Sequence, residues 1–110
     1  NIMIQFKFGD VVLLNFPFSD GTNFKKRPAL IINDFNDGDI LVCRITSQKH
    51  FDKYDIIVEN WAKFGLLIPS SIWVHKLATL DKKLFYKKLG SIDFEIEKQV
   101  KSLVSQLTDN

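Results

Sequence analysis

Apolar and β-branched residues occur along the first two thirds of the chain in short runs, separated by polar segments rich in glycine, asparagine and aspartate. Runs of this length and composition are typical of β-strands. The pattern predicts five strands, at residues 10–16, 29–33, 39–46, 54–58 and 71–76. Asn36-Asp37-Gly38-Asp39 predicts a tight hairpin turn, and the polar residues 17–26 predict a long loop that begins at Pro17.

The last third of the chain predicts helices. Asp81 is placed to cap a short helix over residues 82–89, which would end before Gly90. Asp93 is placed to cap a final helix, whose apolar residues at helical spacing are Ile96, Val100, Leu103, Val104 and Leu107. That stripe needs an apolar surface, most simply the sheet. The predicted fold is mainly β with C-terminal helices, a small barrel or strongly bent sheet capped by the last helix.

Size and composition indicate one globular domain spanning residues 1–110. The 110 residues are 45% hydrophobic and 25% charged, which is ordinary for a folded domain with its own core. The single cysteine, Cys43, lies in an apolar run and is expected to be a buried small side chain rather than a nucleophile. One thiol cannot form an internal disulfide, and no signal peptide or membrane span is recognisable, so we expect a cytoplasmic protein without a membrane partner.

The positive charge is modest in total but clustered. The net charge of +2 is too small by itself to indicate nucleic-acid binding. Lys25, Lys26 and Arg27 form one basic cluster, and Lys82, Lys83, Lys87 and Lys88 form a second. Each cluster is open to two interpretations, a solvated surface or a surface that binds a polyanion.

No pattern for a metal or cofactor is recognisable. His50 and His75 lie far apart and lack a second histidine or a cysteine at ligand spacing. The chain also has no glycine-rich phosphate loop and no serine nucleophile elbow. We therefore expect a function that uses no cofactor and no metal.

Four residues have side chains suited to phosphate chemistry. Arg27 precedes Pro28, which biases it towards extended backbone, so a forked guanidinium would project from a rigid strand edge to a phosphate, or pair with a surface carboxylate. Thr46 and Ser47 end the third strand, where their hydroxyls would donate to a phosphate or satisfy the turn. His75 would serve as an acid or base, or pack in the strand. Residue type alone leaves these alternatives open.

Several segments in the right order resemble the signatures of the MazF/PemK toxins. The N-terminal signature, a Gly-Asp-hydrophobic strand that leads through a loop to an Arg-Pro-hydrophobic strand, is matched by residues 9–21 and 25–32. The later matches are Cys43-Arg44-Ile45-Thr46-Ser47, Gly65-Leu66, Pro69-Ser70-Ser71-Ile72, Thr79-Leu80-Asp81-Lys82 and Lys88-Leu89-Gly90. The resemblance extends from about Gly9 to Leu107.

The resemblance implies an SH3-like barrel and a homodimer that acts as the toxin of a type II toxin–antitoxin system. It implies sequence-selective, metal-independent cleavage of single-stranded RNA, and an antitoxin whose disordered tail covers the RNA site. The ribose 2′-hydroxyl would attack the adjacent phosphate and leave 2′,3′-cyclic phosphate and 5′-hydroxyl ends. Arg27 takes the position of the catalytic arginine and Thr46 that of the phosphate-contacting threonine. Lys25, Lys26 and Ser47 are then expected to bind RNA.

The late strand departs from the family pattern at three positions. Several relatives have an acidic residue in place of His75 and an arginine in place of Trp73, and many have an arginine in place of Ala78. Two interpretations follow for His75: it replaces the carboxylate as general base, or the site is weakened. Trp73 would stack on an RNA base, or pack in the core or dimer interface.

Two other functions compete with the ribonuclease. The CcdB-like toxins use the same barrel to poison DNA gyrase through protein contacts, and the altered region around His75 keeps that alternative open. A peptide-binding adaptor would need an exposed aromatic groove, to which Phe16, Phe18 and Phe24 would contribute. Arg27 and Thr46 favour the ribonuclease over both.

Overall fold

The computed structural model describes residues 5–17, 22–48 and 52–109. The strands within these ranges are β1 (Asp10–Pro17), β2 (Phe24–Asp34), β3 (Asp39–Thr46), β4 (Asp55–Val58), β5 (Ser70–Asp81) and β6 (Phe85–Ser91), and one helix, α1 (Phe94–Gln106), follows them. They form one antiparallel sheet in the order β4-β5-β3-β2-β1-β6. This confirms the predicted mainly-β fold with a C-terminal helix. None of the helices in the described ranges is long and apolar enough to cross a membrane.

Most of the predicted elements are confirmed, some with different lengths. The hairpin of β2 and β3 is present, and β3 has the predicted bounds. The predicted loop over residues 17–26 was too long, because β2 begins at Phe24 and pairs with β1 as far as Pro17. β5 continues past Lys76 to Asp81, where it still pairs with β3. Phe18 lies outside the described residues.

The predicted helix over residues 82–89 is wrong. Asp81 does cap a turn, since its carboxylate accepts a hydrogen bond from the Lys83 N–H at 2.9 Å, but the turn is a 3₁₀ helix that ends at Leu84. The chain then continues as β6 because its backbone pairs with the otherwise open edge of β1. Phe85 also packs against Phe6, with ring centroids 5.3 Å apart. Tertiary pairing here overrides the local helix preference of lysine and leucine.

Two glycines bring the loop after β4 against β6. Gly65 has a φ of +87°, and a Cβ built on it would lie 2.2 Å from the carbonyl oxygen of Leu89. A Cβ on Gly90 would lie 2.4 Å from the carbonyl oxygen of Phe64. Only glycine permits this backbone contact. The hydrogen-bonded sheet itself does not close, and the loop covers the gap between its edges.

Both faces of the bent sheet bury apolar side chains. One face, which includes Val11, Leu30 and Ile72, packs against α1 through the fully buried Val100. Ile96, Leu103 and Val104 pack beside it, which confirms the predicted apolar stripe of the helix. The opposite face contains a second cluster: Phe6, Val12, Leu14, Ala29, Ile31, Ile40 and Val42.

Asp34 is a buried carboxylate that joins three segments. It accepts hydrogen bonds from the backbone N–H groups of Phe6 and Asn36, both at 3.0 Å, and lies 3.4 Å from the Lys82 ammonium. Burial acts to raise the pKa of Asp34, but these hydrogen bonds and the charge of Lys82 outweigh it, so the pKa lies below its ordinary value. The ionised form therefore stabilises the fold.

We expect Asp34→Asn to lower the free energy of unfolding by about 1–3 kcal/mol at pH 7, because the amide leaves buried donors poorly paired. The pKa of Asp34 is lower in the folded state than in the unfolded state. Its carboxylate therefore stabilises the folded state fully at pH values above the unfolded-state pKa, and this stabilisation is lost as the pH falls through the folded-state pKa. Urea denaturation at pH values from 7 to 3 should show that the difference in the free energy of unfolding between wild type and Asp34→Asn becomes smaller as the pH falls. Glu59→Gln, at an exposed carboxylate, is the control. A difference independent of pH would contradict this role of Asp34.

Cys43 is fully buried in β3, which confirms that it is a core side chain. Burial raises the pKa of the Cys43 thiol to about 12, so almost no thiolate forms at neutral pH. We expect no reaction of the native protein with a disulfide reagent at pH 8 while free cysteine reacts completely, and one equivalent of reaction in urea. Rapid stoichiometric labelling of the native protein would contradict this burial.

Candidate functional site

The Gly9-Asp10 signature has an architectural role. Gly9 has a φ of +92°; its N–H donates to the Ile31 carbonyl and its own carbonyl accepts from the Ile92 N–H. The buried Asp10 carboxylate accepts a hydrogen bond from the Lys7 N–H at 2.9 Å and lies 3.1 Å from the Lys88 ammonium. The motif therefore fixes the start of β1 against the elements beside it and contributes no group to the cavities described next.

Arg27 and Thr46 lie together at the wall of a cavity of about 470 Å³. Arg27 is half-buried in β2 opposite Leu14 of β1. β2 and β3 pair Ala29 with Arg44, which are two residues from Arg27 in β2 and two residues from Thr46 in β3. Arg27 and Thr46, two of the residues that the sequence predicts for phosphate chemistry, thus line one cavity from adjacent strands.

Thr46 and Ser47 both line this cavity. The Thr46 hydroxyl oxygen accepts a hydrogen bond from the Gln48 N–H at 3.2 Å, so it satisfies the turn as one interpretation predicted. A hydroxyl that accepts a hydrogen bond still has its own hydrogen to donate. The turn therefore orients Thr46 without using up its donor.

The cavity combines positive charge with an apolar wall. Lys26 and Lys87 line it together with Arg27, and none of its described lining residues is acidic. The loop after β4 supplies the other wall through Leu66, Leu67 and Ile68, and Leu67 is 90% exposed. Such a cavity is suited to an anion that also presents apolar surface, as a nucleotide does.

A second cavity of about 450 Å³ lies on the other side of β2. Lys25, Arg44 and Lys76 line it, and Arg27 lines both cavities. Neighbouring residues of a strand project to opposite faces, so the side chains of Lys25 and Arg27 project to one face of the sheet and that of Lys26 to the other. The basic cluster of the sequence is therefore distributed over two surfaces that meet at Arg27.

Trp73 and His75 line neither cavity. β5 is irregular here: β3 pairs Cys43 with Leu77 but Arg44 with Trp73, so residues 74–76 have no direct partner in β3. Trp73 is 8% exposed, with the Arg44 guanidinium 5.2 Å from its ring centroid. This burial favours the packing interpretation of Trp73 over base stacking.

His75 belongs to an aromatic group beside Trp73. Its ring is stacked on Trp73 with centroids 6.4 Å apart, and it lies 6.0 Å from the Tyr54 ring. The His75 Nδ1 is buried and has no hydrogen-bond partner among the described residues. The ring contacts of His75 are therefore with Trp73 and Tyr54, and it lines neither of the two cavities described above.

Sequence reasoning missed two contributors to the cavity wall, Lys87 and residues 66–68. Lys87 was part of the second basic cluster but was assigned to a helix, and only its pairing with Leu13 brings it to the cavity. The apolar run Leu66-Leu67-Ile68 in a loop was the available signal for the other wall.

No group of three or more histidine, cysteine, aspartate or glutamate side chains able to hold a metal ion is present in the ranges that the structure describes. His50 lies outside those ranges.

Solved structures with similar folds are toxins and toxin–antitoxin complexes. MazE–MazF from Deinococcus radiodurans matches with a TM-score of 0.75 and 17% identity, covering 97% of this chain and 98% of that chain. An endoribonuclease from a mycobacterial species, in complex with its cognate antitoxin, matches with a TM-score of 0.73 and 14% identity, covering 94% and 95%. The Mycobacterium tuberculosis toxin MazF-mt6 matches with a TM-score of 0.71 and 18% identity, covering 89% and 96%. These similarities confirm the predicted MazF-type fold.

A search of curated proteins gave no significant match. The family model for PemK-like, MazF-like toxins of type II toxin–antitoxin systems matches residues 7–108, nearly the whole chain. The match includes Gly9-Asp10, Arg27 and Thr46, the residues on which the sequence resemblance rested. This chain therefore belongs to the PemK-like, MazF-like family of type II toxins.

Proposed function

We propose that this protein is a sequence-selective, metal-independent endoribonuclease that cleaves single-stranded RNA in the cytoplasm and so inhibits growth. The observation that carries the proposal is that Arg27 and Thr46 line the same cavity, which Lys26 and Lys87 make cationic. Family membership supports it. The similar mycobacterial protein is an endoribonuclease, which supports it further.

The proposed reaction uses a nucleophile that the substrate itself supplies. The ribose 2′-oxygen attacks the adjacent phosphorus and loses its proton, and the bond from phosphorus to the 5′-oxygen breaks. The 5′-oxygen takes up a proton, so the products carry a 2′,3′-cyclic phosphate and a 5′-hydroxyl. Negative charge on the non-bridging phosphate oxygens increases in the transition state. Preorganised donors at those oxygens lower the barrier.

Arg27 and Thr46 are suited to stabilise that charge. The Arg27 guanidinium offers forked donors that match the geometry of phosphate oxygens. Thr46, held by its bond to the Gln48 N–H, donates its hydroxyl to a second phosphate oxygen. His75 lines neither of the two cavities that Arg27 lines, so we assign catalysis to charge stabilisation by Arg27 and Thr46 rather than to a base at His75.

We also propose that the protein forms a homodimer and binds a cognate antitoxin. Two of the similar structures are toxin–antitoxin complexes, which supports an antitoxin partner. The exposed Leu67 and Ile68 stand beside Lys26 and Lys87. An antitoxin tail with apolar and acidic side chains would cover that wall and compete with RNA.

We expect Arg27→Ala to reduce the rate of RNA cleavage by about 10² to 10³-fold, because it removes a transition-state donor. The cleavage rate of Arg27→Lys should lie between those of wild type and Arg27→Ala, since lysine keeps the positive charge but lacks the forked donors of the guanidinium. The measurement is cleavage of a long single-stranded RNA in the presence of chelator, with the ends mapped. Lys101→Ala, which removes a cation on α1, is the control.

If folded Arg27→Ala cleaved RNA at the wild-type rate, Arg27 would have no part in the mechanism. A folded wild-type protein that cuts no RNA would contradict the ribonuclease, and gyrase binding would then be tested.

We expect RNA affinity to fall steeply with salt, because Lys26, Arg27 and Lys87 displace counterions from the strand. Lys26→Ala should lower the slope of log affinity against log salt by about 0.7, the value for one phosphate contact on a single strand. Fluorescence anisotropy between about 50 and 200 mM salt measures this, with an RNA blocked by 2′-O-methyl groups. An affinity indifferent to salt would contradict the electrostatic contribution of this surface.

A further inference from the structure

Tyr86 is an exposed aromatic residue that a β-bulge directs away from the sheet. β1 pairs Leu13 with Lys87 and Leu14 with Phe85, so Tyr86 is the extra residue of β6 between them. A bulge of this kind changes the direction of a side chain. Phe85 packs inward on Phe6, whereas Tyr86 is 55% exposed.

The ring of Tyr86 lies beside the cavity that contains Arg27. The Lys26 ammonium is 4.6 Å from the centroid of the Tyr86 ring, a cation–π contact that restrains the ring. Lys26 also lines the cavity, and so does Lys87, the next residue along β6. Tyr86 itself does not line it. The ring is therefore at the margin of the cavity, beside two of its cationic lining residues.

We propose that Tyr86 is a stacking platform for the base of a nucleotide next to the scissile phosphate, an inference that rests on the ribonuclease function proposed above. With the scissile phosphate at Arg27 and Thr46, a neighbouring phosphate meets Lys26 and Lys87. Its base then reaches the exposed ring of Tyr86. Stacking needs only a π-face, so this contact accepts any base and contributes binding and register rather than sequence selectivity.

The charge around Tyr86 favours RNA over a second copy of the chain as the occupant of this surface. Lys26 lies over the ring and Lys87 is next to it in β6, and both lysines are exposed. In a twofold interface centred on Tyr86 these like charges would face one another. An anionic strand is attracted by them instead.

Phe94 provides a matched control on another part of the molecule. It is 69% exposed at the start of α1, and the Lys98 ammonium is 5.3 Å from its ring centroid. Phe94 and Tyr86 are thus two exposed rings with a lysine over each, of which only Tyr86 adjoins the cavity of Arg27. If loss of any exposed aromatic side chain weakened RNA binding, the alanine variants of Tyr86 and Phe94 would both show it.

The test compares Tyr86→Ala, Tyr86→Phe and Phe94→Ala for binding of a 2′-O-methyl-blocked RNA that contains the mapped cleavage site. We expect Tyr86→Ala to weaken binding by about 5 to 150-fold, the loss of one stacked base. Tyr86→Phe and Phe94→Ala should bind like wild type. At saturating protein, the single-turnover cleavage rate of Tyr86→Ala should fall less than its affinity. Two shorter RNAs, each lacking the nucleotides on one side of the cleavage site, locate the stacked base. The loss of affinity caused by Tyr86→Ala should disappear with the RNA that lacks that base.

Three results would overturn the platform. In the first, wild type cleaves RNA but Tyr86→Ala binds as well as Phe94→Ala, which removes the platform and leaves the ribonuclease intact. In the second, Tyr86→Ala has a lower molecular mass than wild type in analytical ultracentrifugation, which makes this surface an interface between two copies of the chain. In the third, folded wild type neither binds nor cleaves RNA, which removes the ribonuclease and the platform with it. Thermal unfolding of each variant verifies that it is folded.

Discussion

The backbone contact between Gly65 and Gly90 is the constraint on which the site depends. Because neither residue has a Cβ, the loop after β4 lies directly on β6, and a side chain at either position would collide with a carbonyl oxygen. The loop continues from Gly65 into Leu66, Leu67 and Ile68, which form one wall of the cavity. Without this wall, Arg27 and Thr46 would lie on a sheet face open to water, where a fixed charge stabilises less.

Irregularities in the strands decide where the chemical groups point. The bulge in β6 turns Tyr86 outward while Phe85 stays in the core. In β5, residues 74–76 have no direct partner in β3, and His75 lies against Trp73. A regular ladder would have alternated these side chains between the two faces. The irregularities therefore leave Phe85, Trp73 and His75 packed against other rings and leave Tyr86 exposed.

Buried carboxylates divide the second basic cluster into structural and available charges. Lys88 is paired with Asp10 and Lys82 with Asp34. Lys87 lies between these paired lysines in sequence but lines the cavity. The two interpretations of the cluster, a structural surface and a polyanion-binding surface, thus apply to different lysines within it. This also explains why a small net charge is compatible with a strongly cationic cavity.

The sequence by itself determined the strands with clear apolar patterns and the capped final helix, because these depend on local periodicity and on residues close together in the chain. It pointed to Arg27 and Thr46 through the family resemblance, and both residues line one cavity. It failed at residues 85–91, where the lysines and leucines are compatible with a helix and only the open edge of β1 selects a strand. It also grouped Lys25 with Lys26, although the alternation of β2 places them on opposite faces. Only the tertiary structure decided which side chains share the cavity, because that depends on strand register, bulges and the close approach of two glycines, which are contacts between residues far apart in the sequence.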